Sequence, residues 1–183
     1  DLEPNNTNAE SSEALARNWG NTGFQVPSYL ASFRSVFYNW KRAPSFFDVV
    51  AYTGTGSART IAHNLGVAPE MMWVKMRTLA GYKWRVYHKD LNAAGSTTDY
   101  ALSLNEDTDV SLGNGGYWNN TVPTSSVFSL GTYGQVNASG SNMIAYLFAT
   151  LANVSKVGSV THSGTTNVDC GFSAGSRFVM LKR

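Results

Sequence analysis

The sequence matches itself, and this internal repeat is the feature that most limits how the chain can fold. Tyr38 and Trp40 recur as Tyr146 and Phe148 at one constant offset. Similarity of this kind is typical of proteins built from copies of one supersecondary unit. The matching segments are 38–40 with 146–148, 49–56 with 157–164 and, after a small gap, 72–77 with 178–183.

The repeat divides the chain into one full unit and two partial ones. Residues 46–151 form the full unit, which we expect to be one β-sandwich, whereas residues 1–45 and 152–183 are partial units. A partial unit cannot cover its own apolar face. We hypothesise that the two flanks pair into a second, reduced sandwich. The alternative is that each flank completes a neighbouring subunit or an absent part of the chain. Because the initiating Met is missing, we expect the chain to start inside a longer or processed polypeptide.

Short alternating segments predict an all-β fold. Within Lys83–Lys89, Trp84 and Val86 fall on one face of a strand, and Arg85 and Tyr87 fall on the other. No long amphipathic pattern supplies the helical crossovers that a parallel sheet needs. We therefore predict an antiparallel, jelly-roll-like β-sandwich. The predicted strands are 46–53, 59–62, 71–77, 83–89, 100–104, 126–130, 142–149, 156–161, 167–170 and 177–182.

Charge and cysteine content limit the partners of the chain. The net charge is +2, and Lys83, Arg85 and Lys89 make only a small basic cluster, so we predict no nucleic-acid partner. A lone cysteine, Cys170, excludes an intrachain disulfide. No stretch of 18 apolar residues predicts a membrane span. Because no intrachain disulfide can stabilise the chain, its stability depends on packing or association, and we expect a homo-oligomer.

The candidate catalytic residues lack a supporting pattern. For nucleophilic catalysis by a thiol, Cys170 with His162 as the base is the only cysteine option. A buried structural thiol is the favoured interpretation of Cys170. Asp48, Asp90 and Asp99 offer carboxylates, but no spacing supports a glycosidase pair. We therefore predict that the chain is not an enzyme.

Metal and cofactor sites are not predicted either. The three histidines lie far apart and there is no cysteine pair, so the pattern of a zinc site is absent. His63 precedes Asn64–Gly66, and we expect its imidazole to hydrogen-bond the main chain of that loop. The segment 105–109 offers oxygen ligands for Ca²⁺ but lacks the glycine and the final glutamate of an EF-hand.

The segment Gly113–Asn120 is the most suggestive candidate binding feature. An aromatic face with neighbouring amides can bind a sugar, so Tyr117, Trp118 and Asn119 are the candidate glycan contacts. Trp118, however, has a counterpart, Trp19, in the repeat. A repeated tryptophan more often packs a core, and we favour that alternative for the ring.

Several ordered segments carry a resemblance to a family. Motifs such as His63-Asn-Leu-Gly66 and Ala145-Tyr-Leu-Phe-Ala149 resemble an uncharacterised β-rich repeat domain of virion structural proteins of marine, cyanophage-like phages. The resemblance covers roughly residues 43–183 and implies a virion location, without a catalytic motif. The segments that carry it are 43–56, 61–69, 84–88, 123–131, 136–140, 145–149 and 154–158.

We therefore expect a structural module of a phage virion, in a tail fibre, a tail-associated protein or a capsid-attached fibre. It would pack against copies of itself, with a trimer favoured, and against other virion proteins. The alternative is a lectin-like receptor-binding module that adheres to host surface polysaccharide. A depolymerase is a third hypothesis, and the lack of a carboxylate pair argues against it.

Overall fold

A computed structural model describes ten strands and one short helix. It describes residues 2–11, 17–20, 22–26, 28, 34, 38–91, 99–107 and 110–182. The helix, α1, is Gly134–Asn137. The strands are β1 Arg17–Gly20, β2 Gly23–Gln25, β3 Phe47–Thr53, β4 Arg59–Ala62, β5 Met71–Met76, β6 Arg85–His88, β7 Tyr100–Ser103, β8 Ser111–Leu112, β9 Val127–Leu130 and β10 Asn142–Phe148.

A six-stranded antiparallel sheet forms the centre of the fold, in the order β3-β10-β5-β6-β7-β8. The central strand β10 pairs on both sides, so that Ala145 lies opposite Val50 on β3 and Val74 on β5. A second sheet contains β4 and β9, and β1 with β2 forms a separate hairpin. The predicted all-β antiparallel sandwich is confirmed.

The first core fills the space between the two sheets. Met72, Val74 and Leu147 from the large sheet meet Ile61 and Phe128 from the small one. These side chains alternate along their strands with residues that face the other way, as the period of a strand requires. The core therefore joins segments that are distant in sequence.

A second, aromatic core covers the opposite face of the large sheet. Phe47, Trp73 and Phe148 belong to it, and Trp40 packs against it. The ring centroids of Trp40 and Phe148 are 6.0 Å apart in an edge-on geometry, which aromatic pairs favour. Both faces of the central sheet are thus buried, although a sheet in a two-layer sandwich often leaves one face in water.

The N-terminal segment 2–10 crosses this aromatic face and is anchored by polar contacts. The Nε1 of Trp84 donates to the carbonyl of Glu3 at 2.9 Å, and the Nζ of Lys75 donates to the carbonyl of Thr7 at 3.3 Å. Lys75 is fully buried and also donates to the carbonyl of Tyr82 at 2.8 Å. Main-chain oxygens therefore solvate a cation inside the fold.

The C-terminal flank differs from its prediction. Residues 156–161, 167–170 and 177–182 were predicted as strands, but the structure has no strand within the described part of 152–183, and only an isolated bridge joins Leu151 to Ser155. Those strand predictions are wrong for this structure because an alternating segment becomes a strand only when a partner accepts its hydrogen bonds. Pairing of the flanks into a second sandwich stays a prediction.

Candidate functional site

The Gly-rich loop 113–120 is built around one buried carboxylate. Asp99 is 1% exposed. Its Oδ1 accepts hydrogen bonds from the main-chain nitrogens of Tyr117 at 3.3 Å and Trp118 at 3.4 Å, and its Oδ2 accepts one from Gly115. Hydrogen bonds to a charged acceptor are the stronger kind. Asp99 therefore fixes the shape of the loop from beneath.

Both aromatic rings of the predicted glycan site point into the core. Tyr117 is 4% exposed and Trp118 is fully buried, with its Nε1 donating to the carbonyl of Tyr100 at 2.9 Å. Neither buried ring presents a face to a sugar in this structure, and for Trp118 this agrees with the favoured packing alternative. Asn119 is exposed at the loop surface with φ 53°, and its contact with a glycan stays a prediction.

The basic residues of β6 and its flanks do not form a continuous basic surface. Arg85 is buried, donates to the Oγ of Ser103 at 2.9 Å and lies 5.1 Å from the centroid of the Tyr117 ring, a cation–π geometry. Lys83 pairs with Glu106 at 2.5 Å, and Lys89 pairs with Glu70 at 2.7 Å. Each cation is thus tied to its own partner.

A second polar cluster joins β3 to the loop after β4. Asp48 is 2% exposed, and its Oδ1 accepts from the Nε of Arg42 at 2.6 Å while its Oδ2 accepts from the main-chain nitrogen of Asn64 at 2.8 Å. These contacts occupy both oxygens of the carboxylate. Asp48 and Asp99 therefore serve as anchors for two different loops.

His63 completes this cluster as a neutral imidazole. Its Nε2 lies 3.1 Å from the carbonyl of Thr124, to which it can only donate, and its Nδ1 accepts from the nitrogen of Leu65 at 3.2 Å. Burial lowers the pKa of His63, although the Thr124 carbonyl and the charge of Asp48 oppose this shift. The predicted hydrogen bond between the imidazole and the loop main chain is confirmed, with the nitrogen of Leu65 as the donor.

The remaining candidates are placed apart from these clusters. Cys170 is half-buried in the C-terminal flank, where His162 is exposed. In the proposed calcium segment, the Oδ1 of Asn105 accepts from the main-chain nitrogen of Trp84 at 2.9 Å, and Glu106 pairs with Lys83. Residues 108–109 of that segment lie outside the described residues. Among the residues that are described, no group of His, Cys, Asp or Glu could hold a metal.

An open cleft of about 320 Å³ lies beside the N-terminal end of β5. Glu70 and Lys89 cross it as an ion pair, and the Oγ1 of Thr150 donates to Glu70 at 2.5 Å. Burial alone would raise the pKa of Glu70, but the hydrogen bonds from Lys89 and Thr150 and the Lys89 charge outweigh it and lower the pKa. Burial, aided by Asp90, raises the pKa of Tyr87, another lining residue, to about 12.

Sequence reasoning missed the structural roles of Asp99, Lys75 and Arg85. All three act through main-chain or ring partners that are distant in sequence, so no local motif marks them. The only available signal was a charged residue within or beside a segment predicted to be a buried strand. Such a residue needs a hydrogen-bonded partner when the strand is buried.

Comparison with known proteins gives a family without an assigned activity. Within the described residues, no helix has the length and apolar character required to cross a bilayer. Neither the curated proteins nor the solved structures contain a match to the chain. The chain belongs to the family described as Domain of unknown function (DUF7483), which it matches over residues 1–183.

Proposed function

We propose that the chain is a non-enzymatic structural module of a phage virion that acts by associating with copies of itself and packing against other virion proteins. The observation that carries the proposal is the internal repeat together with the apolar surface of its C-terminal flank. The full unit buries most of its apolar side chains in two cores, whereas most of the large apolar side chains of the flank are exposed, Val157 excepted.

The exposed apolar side chains are concentrated in that flank. Leu181 is 82% exposed, Val179 67% and Val168 57%. Monomeric proteins rarely leave adjoining apolar residues uncovered unless the surface binds something. The flank also includes Val154, Val160, Phe178 and Met180 among the exposed large hydrophobic residues. This distribution supports association through the flank.

The polar clusters support a structural role in a different way. Asp48, Asp99 and Arg85 each hold a loop or a ring in place. A module that transmits force or forms a lattice benefits from such fixed loops, because rigid faces lose little conformational entropy on association. The resemblance to phage repeat domains supports a virion as the particle in which we propose that such a module acts.

The test is to locate the protein in the particle. Virions of a phage that encodes a protein with this domain would be purified on a density gradient, and their proteins identified by mass spectrometry. We expect peptides of the domain to remain with the particles after a high-salt wash, and antibodies against the purified chain to label one substructure. Recovery only from the infected-cell lysate would refute the proposal.

A second candidate function is adhesion to host polysaccharide, favoured by two exposed amides. Asn119 and Asn120 stand at the surface of the loop that Asp99 holds, with φ 53° and 47°. Replacement of the buried Trp118 would report unfolding rather than binding. The informative test is a glycan array with Asn119→Ala and Asn120→Ala, with the exposed Asn114→Ala as the matched control.

A further inference from the structure

The segment 177–182 is not assigned as a strand, but its side chains alternate in exposure as those of a strand do. The exposed fractions alternate along it, at 44% for Phe178, 67% for Val179, 37% for Met180 and 82% for Leu181. One face therefore lies toward the body of the protein and the other toward solvent, as in a strand. No main-chain hydrogen bond joins 177–182 to any other described residue.

The internal repeat identifies the kind of strand that this segment represents. Its counterpart in the full unit is β5, Met71–Met76. In the central sheet β5 is an interior strand that pairs with β10 on one side and β6 on the other. The segment 177–182 thus has the sequence of an interior strand, yet it makes no main-chain hydrogen bond to the part of the chain that the structure describes. A strand edge left open in this way is a template for strand addition.

The repeat also identifies the complementary strand and its register. The counterpart of β10 contains residues 38–40, which likewise make no main-chain hydrogen bond to described residues. Met72 of β5 lies opposite Leu147, and Trp73 lies opposite Tyr146. Applied to the flanks, this register places Phe178 opposite Asn39 and Val179 opposite Tyr38.

Within one chain, the two flanks touch in a different geometry. The ring centroids of Phe178 and Tyr38 are 4.8 Å apart, and those of Phe178 and Trp40 are 5.9 Å apart. In the β10–β5 register, Phe178 would share a face with Asn39, and its ring would face away from Tyr38 and Trp40. The intrachain contact is therefore not the pairing that the repeat specifies.

We propose that residues 177–179 pair with residues 38–40 of a second copy of the chain, in the register of β5 on β10. The inference rests on the proposed self-association and names its partner and its surface. Each copy carries one donor and one acceptor segment, so the contact joins two different surfaces. Such contacts close into rings when the rotation permits and otherwise extend as filaments.

Thiol crosslinking between separately labelled copies tests the register. All variants carry Cys170→Ser, which removes the native thiol. One preparation carries Asn39→Cys and a second carries Phe178→Cys; the two are mixed, oxidised and run on a non-reducing gel. We expect a covalent dimer in the mixture and little in either preparation alone. Tyr38→Cys mixed with Val179→Cys provides a second pair in the same register.

Three outcomes overturn the inference. An intramolecular bond in the Asn39→Cys/Phe178→Cys double variant, without a dimer in the mixture, assigns the pairing to one chain. Dimers in the Phe178→Cys preparation alone would show that this segment pairs with the same segment of a second copy. No crosslink in either mixture removes the pairing altogether. A chain that associates in native mass spectrometry without these crosslinks retains the proposed function and loses only this interface.

A charge placed on the exposed face gives an independent measurement. Val179→Asp leaves the two cores untouched and places a charge opposite Tyr38 in the proposed register, where it opposes burial of the strand by a partner. We expect its association constant, from analytical ultracentrifugation, to fall at least tenfold relative to the unaltered chain. Val122→Asp, at a residue that is 54% exposed elsewhere, is the matched control and should associate normally. Equal association of Val179→Asp and the unaltered chain contradicts the interface.

Discussion

At the scale of single residues, buried charged side chains in this protein hold main-chain groups in place. Asp99 holds three nitrogens of the loop 113–120, and Lys75 is solvated by two carbonyls. Removal of one partner from such a group leaves other buried polar atoms without compensation, and this is the costly outcome. The stability of the loop therefore depends on Asp99.

Asp99→Asn tests this dependence. The amide keeps one acceptor oxygen but loses the charge and turns a donor toward main-chain nitrogens, so we expect the free energy of unfolding to fall by about 1–3 kcal/mol. Urea unfolding followed by tryptophan fluorescence measures it. Asp90→Asn, at an exposed carboxylate, is the control and should change the free energy little. Equal effects of the two substitutions would show that Asp99 does not anchor the loop.

His63 makes stability depend on pH. Burial lowers the pKa of His63 in the folded state below that of the unfolded chain. As the pH falls, the unfolded chain therefore binds the proton first. The contribution of His63 to stability is fully present above the ordinary histidine pKa of about 6.5 and declines as the pH falls below it. His88, whose pKa is also lowered by burial, contributes in the same direction. Urea midpoints at pH 8, 7, 6 and 5.5 should show this decline, with a smaller slope in His63→Gln.

Sequence reasoning succeeded for residues whose partners are local and failed where they are distant. The imidazole of His63 bonds a loop that starts at the next residue, and the pattern predicted that contact. The sequence allowed Trp118 either to bind a sugar or to pack in the core. The choice between these roles depends on the side chains that surround it in the fold, and these are distant in sequence. Arg85 needs Ser103 and Tyr117, whose positions depend on the whole fold.

At the scale of elements, the alternating pattern located most of the central sheet. The predicted strands 46–53, 71–77 and 142–149 correspond to β3, β5 and β10 within a residue or two at each end. The hairpin β1–β2 and the two-residue strand β8 were missed because short polar segments carry little periodic signal. The C-terminal segments were overpredicted because sequence periodicity does not reveal whether a partner strand is present.

Gly131 sets the approach between the end of β9 and the Gly-rich loop. A Cβ at this position would overlap the carbonyl oxygens of Gly115 and Gly116. These oxygens belong to main chain, and Gly116 also accepts a hydrogen bond from Tyr133 at 2.9 Å, so the loop cannot yield easily. The glycine is required for close packing of two backbones.

Gly131→Ala should therefore be destabilising. We expect a loss of about 1–3 kcal/mol in the free energy of unfolding, as for other insertions into a packed interior. Gly158→Ala is the matched control, because a Cβ there meets only the tip of Lys156 at 3.9 Å. Differential scanning calorimetry of the two variants compares them directly. Equal melting temperatures would show that the loop can move away from β9.

At the scale of the whole molecule, the full unit and the C-terminal flank differ in how their main chain is satisfied. In the central sheet, β10 is bonded on both sides, and the two cores cover both of its faces. The described residues of 177–182 lack such bonds and expose apolar side chains. The free energy of local opening is near zero for segments without main-chain hydrogen bonds. For core strands it rises to the free energy of global unfolding.

Hydrogen–deuterium exchange at two protein concentrations measures that difference and relates it to assembly. In dilute protein, peptides from β10 should exchange orders of magnitude more slowly than peptides covering 177–182. If a second copy pairs with this segment, a hundredfold increase in concentration should slow exchange at 177–182 and at 38–40 together, since one set of hydrogen bonds protects both. Peptides of β10 are the internal control because their protection does not require association. Protection of 177–182 without protection of 38–40 would instead indicate a partner surface that the internal repeat does not encode.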